Sequence, residues 1–187
     1  MAIRVRDALQ KVSNSWVTLL ALLLFVLFTG LVLPRQAQQA EDQLGAAGSP
    51  DTAFFYTAGD LYRLAEAYGE QGRQAYIRAR FTFDLVWPLV YAFFLATAIS
   101  WIFGHAFQPN SGLHYANLAP VLGLLFDYAE NLSSSLVMGR YPEQTPFVDW
   151  LAPIFTLLKW VFVYGSFLFL LLGITVLIWK RWQNKRA

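Results

Sequence analysis

The chain has 187 residues, 57% of them hydrophobic and only 14% charged, with a formal net charge of +2. That is too apolar for a soluble domain of this size. Basic residues sit beside apolar runs instead of forming a stripe interleaved with aromatics, so nucleic-acid binding has no support. The absence of cysteine removes thiol redox chemistry, thiolate nucleophiles and Cys-based metal sites.

A membrane span takes about 20 apolar residues. The sequence therefore predicts an all-α integral membrane four-helix bundle. It is a single membrane domain over 1–187 with spans near 16–33, 81–103, 115–138 and 150–179. One amphipathic helix, near 58–68, lies in the first extracytoplasmic loop, 34–80.

Arg4, Arg6 and Lys11 lead into the first span, which Pro34 and Arg35 close. The run is long for a signal-peptide core and Ala37-Gln38-Gln39-Ala40 is not a cleavage signature, so it reads as a retained span. It has no polar face, which suits a helix at the bundle's edge. The loop starts with Gln, Ala and Glu residues that can prolong the helix, and breaks at Gly48-Ser49-Pro50. Thr57 with Asp60 reads as a capping pair and Gly69 as a stop. Between them Leu61, Leu64, Ala65 and Tyr68 share one face, while Asp60, Arg63, Glu66 and Glu70 share the other. Such a helix rests on the bundle or in the head-group layer; the competing reading is a lid over a site.

In the second span Arg80 and Asp84 stand four apart and can pair. Arg73, Arg80, Asp84, Pro88, Tyr91, Leu95 and Ala98 fall on one face, and Pro88 predicts a kink that opens space beneath Asp84. Pro109-Asn110-Ser111-Gly112 is a turn. His105 and His114 lack a third ligand type nearby and read as interfacial polar residues, not as a metal site.

The third span carries the unusual cargo. Pro120, Gly123, Asp127, Glu130, Asn131 and Ser134 fall within an arc of about 100°. Charges at bilayer depth cost roughly 2.5 to 3.5 kcal/mol each even on insertion scales, so they face a protein interior and mark a site. The fourth span adds Lys159, with Ala152, Thr156, Ser166, Leu170 and Gly173 on its face. At 1.5 Å per residue Glu130 and Lys159 both lie roughly 12 to 13 Å below the outer ends of their helices, with Asp127 deeper at roughly 16 Å.

Four spans put both termini on one side, where seven Lys and Arg meet the single acid Asp7. The positive-inside rule makes that side cytoplasmic, and the expected location is a multi-pass position in a bacterial inner membrane.

Glu130 with Lys159 and Arg80 with Asp84 leave one carboxyl over. It must be protonated, meet a water-filled cavity or be matched by something bound. The expected ligand-binding set is Asp84, Tyr91, Asp127, Glu130, Asn131, Ser134 and Lys159, supported by Arg80, Pro88 and Ser166. The charged members are expected to converge in one cavity, with the 58–68 helix over its outer mouth. The expected partners are membrane lipid and a small amphipathic or lipid-like ligand. Two other readings are proton- or cation-linked transport and a structural subunit whose charges meet those of a membrane partner. No H-E-x-x-H helix, G-x-S-x-G elbow, P-loop or dinucleotide turn is present, so neither a catalytic role nor a cofactor is assigned.

The pattern of Tyr68-Gly69, Gly72-Arg73, Asp84, Pro88, Tyr91, Asp127, Glu130 and Asn131 resembles small four-span bacterial membrane proteins of unestablished function, over about 62–138. The resemblance implies the span count and no activity. In size and span number the chain is also similar to emopamil-binding-type sterol isomerases, by topology alone. It is similar in the same way to vitamin K epoxide reductases, whose essential cysteines it lacks.

Overall fold

A computed structural model describes residues 2–44, 48–50 and 53–186. Among these every regular element is helical. In chain order they are α1 (Ala2–Val12), α2 (Ser15–Leu27), a π-helical turn (Phe28–Val32), α3 (Leu33–Leu44), α4 (Ala58–Arg80), α5 (Phe83–Ala106), a 3-10 helix (Gly112–Leu118), α6 (Ala119–Arg140) and α7 (Val148–Asn184). Three stretches, Ser15–Leu44, Ala58–Ala106 and Val148–Asn184, are long and apolar enough to cross a membrane. The expected span at 115–138 is not among them. Its helix, α6, has 22 residues and so the length, but Asp127, Glu130, Asn131 and three serines dilute its hydropathy.

Pro34 does not close the first helix as the sequence suggests. The preceding turn widens, with the Leu33 N–H bonded to the Phe28 carbonyl five residues back. A π-turn changes the register of the ladder just where proline withdraws a donor and crowds the carbonyl four residues earlier. The helix therefore runs on to Leu44. Part of the expected 34–80 loop, residues 45–47 and 51–52, lies outside the described residues.

Thr57 caps α4 through a reciprocal box: its Oγ1 accepts from Asp60 N at 3.2 Å and Asp60 Oδ2 accepts from Thr57 N at 2.8 Å. These bonds, with the Arg63 guanidinium beside it, hold the Asp60 carboxyl below its ordinary pKa. Gly69 breaks the helix internally at φ 60°, ψ −175°, a backbone region open essentially to glycine alone. Arg73 Nη1 then donates back to Ala65 O at 2.9 Å, serving a carbonyl the break would orphan. Phe81 and Thr82 form a turn, so α4 and α5 are not one continuous helix.

The chain divides into two compact units. One comprises Met1–Val26, Val90–Gly123 and Val161–Ala187; the other comprises Leu27–Leu89 and Leu124–Trp160. In the first, α1 packs on the 3-10 helix, where Asn117 Nδ2 donates to Ser100 Oγ at 2.9 Å and to the Arg6 carbonyl at 3.3 Å. Gly173 lets α7 approach α5 closely, since a Cβ there would fall 2.6 Å from Ile102 Cγ2 and 2.7 Å from Phe103 Cε1. His105 is exposed and His114 buried, the latter with Nε2 on the Gln108 carbonyl at 2.9 Å.

In the second unit Leu61, Ala65 and Tyr68 are buried against Val137, Met138 and Ala152, with Leu64 half-buried beside them. The expected apolar face of the 58–68 helix is thus covered by α6 and α7. Tyr62 fixes the contact, donating to Asp149 Oδ2 at 3.2 Å and accepting from Thr145 N at 2.7 Å.

Candidate functional site

The second unit gathers the charged groups. All six arc residues of α6 are buried, and on its other face Leu122, Leu125, Leu132 and Leu136 are exposed. Lys159 on α7 brings Nζ within 2.5 Å of Glu130 Oε2, with both side chains enclosed. The Lys159 ammonium also lies 5.1 Å from the Trp160 ring centre. Trp160 in turn donates Nε1–H to the Ala53 carbonyl at 3.1 Å, tying the chain before α4 to α7.

The second pair is Arg80 and Asp84, Nε to Oδ2 at 3.1 Å. The two atoms are close enough for an ion pair but not aligned as a straight hydrogen bond. The guanidinium is stacked over Tyr76, 4.5 Å from its ring centre, and Nη1 donates to Asn131 Oδ1 at 3.4 Å. Asn131 Nδ2 reaches Asp127 Oδ1 at 3.2 Å. One amide therefore joins Asp127 to the Arg80–Asp84 pair, its oxygen accepting and its nitrogen donating.

Pro88 explains why Asn131 is an amide. Proline lacks an N–H, so the carbonyl four residues back, that of Asp84, loses its helical partner. Asn131 Nδ2 lies 3.5 Å from that oxygen. The neighbouring carbonyl of Leu85 accepts from Tyr128 Oη at 2.7 Å. Two side chains of α6 thus serve the backbone that Pro88 disturbs.

Of the expected set, Asp84, Asp127, Glu130, Asn131, Ser134 and Lys159, with Arg80 and Pro88, belong to this unit and are buried by this chain alone. Ser134 Oγ bonds to the Asn131 carbonyl on its own helix at 3.4 Å. Tyr91 and Ser166 belong to the other unit. Ser166 donates to Phe162 O at 2.6 Å, again on its own helix, which satisfies a buried hydroxyl without any partner helix.

A cavity of about 140 Å³ opens beside the Arg80–Asp84 pair. Leu33, Ala37, Ala40 and Leu44 of α3 form one apolar wall, and Ala75, Ala79 and Phe83 another. Gln36, Gln43, Ser49, Tyr76, Arg80 and Asp84 complete its lining. This cavity takes in only part of the expected charged set. The wall holds Arg80 and Asp84, while Lys159 and Glu130 form a closed pair, Glu130 being 0% exposed.

The sequence reading passed over Tyr76, Gln36 and Gln43. Tyr76 stands four residues before Arg80, and the two glutamines stand seven apart on α3; helical spacing carried both signals. Compared with known proteins, the chain matches no family model, no curated protein and no solved structure.

Proposed function

We propose that the chain is an integral membrane protein with four crossings, α6 being the third. Both termini face the cytoplasm of a bacterial inner membrane, and the cavity beside Arg80 and Asp84 binds a small amphipathic, lipid-like molecule. Support for the fourth crossing comes from the inverted exposure of α6: its charges point inward and its leucines outward. A water-soluble helix of this composition would bury the leucines. The excess of basic residues at the two termini supports the orientation.

The observation that carries the binding reading is a buried ion pair set in the wall of a mostly apolar cavity. Ligand sites combine apolar lining with a few placed polar groups in this way. At about 140 Å³ the space is close to that of an engineered cavity that binds benzene. It therefore takes a head group or a chain end and leaves the rest of the molecule outside. Enclosure of every charged site residue within one chain counts against the assembly-subunit reading.

The test compares amphiphiles extracted from purified wild-type protein and from Ala79→Trp, which fills the cavity. A species retained by the wild type and lost from the variant is the expected mass-spectrometric result. Identical extracts would contradict the reading.

A further inference from the structure

We propose that the cavity selects a zwitterionic head group, one carrying a primary ammonium and a phosphate or carboxylate. This rests on the reading of the cavity as an amphiphile site and names the chemistry it recognises. Arg80 and Asp84 lie side by side in the wall, 3.1 Å apart. A lone anion drawn to Arg80 is repelled by Asp84 at nearly the same distance, and a lone cation meets the reverse. Both attractions fall off as the inverse of distance and are strong in a dry wall, so a single charge gains little net. A head group with both signs, set antiparallel to the pair, gains from each contact.

The remaining polar wall favours a primary over a quaternary ammonium. Three N–H donors need acceptors, and Gln36, Gln43, Ser49 and Asp84, residue types that carry acceptor oxygens, are in the lining. A quaternary ammonium is held instead by an aromatic cage. Here Tyr76 already stacks on Arg80, and Phe83 is the one other ring among the described residues of the wall.

The experiment measures competition by single-chain amphiphiles of one chain length against a fluorescent amphiphile bound to detergent-purified wild-type protein. The heads are phosphoethanolamine, phosphocholine, phosphate, primary amine and hydroxyl, with free phosphoethanolamine as a chainless arm. The phosphoethanolamine amphiphile is expected to bind tighter than every other head by about tenfold or more, the worth of one charge-assisted hydrogen bond. Asp84→Asn is expected to move the preference toward phosphate and Arg80→Gln toward amine. The wild-type series decides the matter alone should either variant fail to fold.

Equal binding of all heads, abolished by Ala79→Trp, would overturn the zwitterion proposal and leave the cavity reading standing. Preference for phosphate or for amine alone would do the same. Binding insensitive to Ala79→Trp would remove both. Free phosphoethanolamine binding as tightly as the amphiphile would keep the head-group chemistry and assign it to a water-soluble ligand.

Discussion

Lys159 and Glu130 show how a single residue can hold a membrane helix to its neighbour. Each charge is enclosed, so neither tolerates loss of the other: stripping a partner from a buried pair costs about 3 to 5 kcal/mol. Lys159→Met is expected to lower stability by that amount in detergent unfolding, and Glu130→Gln added to it should restore most of the loss. A Lys159→Met protein that unfolds like the wild type would show that the pair is solvated. This pair and Arg80–Asp84 were legible in the sequence, because depth along a helix and four-residue spacing are geometric quantities that composition does not blur. Ser166 was harder to read, for a reason equally physical. It lies on the right face, but a serine hydroxyl can close on its own helix, and facial position cannot distinguish that from a contact across helices.

At the scale of the element, Pro88 and Asn131 form a pair that neither spacing nor burial alone would join. The proline frees the Asp84 carbonyl and the amide of α6 approaches it at 3.5 Å. Pro88→Ala is expected to return an N–H to that carbonyl, so Asn131→Ala should cost less in the Pro88→Ala background than alone. Unfolding of the four proteins of this cycle gives the coupling; additive effects would mean that the contact carries no energy. Gly69→Ala places a Cβ at φ 60°, ψ −175° and is expected to cost about 1 to 3 kcal/mol.

The start of α4 has its own titration. Asp60 has a lowered pKa in the fold, so its support is present above the unfolded carboxyl range and is lost as pH falls through the folded value. Amide exchange in the first turn of α4 is therefore expected to quicken, relative to the rest of the helix, as the medium is acidified. Unchanged relative protection after Asp60 protonates would contradict the linkage. The cap and the Gly69 break were readable because each rests on one residue's chemistry. The Gln, Ala and Glu residues after Pro34 signalled that the first helix can run on, but the π-turn that carries it past the proline leaves no periodic trace; there Phe28 stacks on Phe83 and Trp87, at 5.8 and 5.7 Å.

For the whole molecule, the central claim is that α6 carries its carboxyls through the bilayer, enclosed by its own chain. Among the described residues three other stretches have the hydropathy to span; α6 alone among the expected four lacks it, because Asp127, Glu130, Asn131 and three serines lower its mean. Sequence patterning exposed that face, yet no window average could separate a crossing helix with an inward polar face from one lying outside the membrane. The chain contains no cysteine, so single cysteines can report side directly. The decisive measurement labels Ser111→Cys and Glu143→Cys, which flank α6, with a membrane-impermeant maleimide in sealed right-side-out vesicles, with lysis as control. Labelling of Glu143→Cys before lysis and of Ser111→Cys only after it is the predicted result, whereas labelling of both from the same side would contradict the crossing.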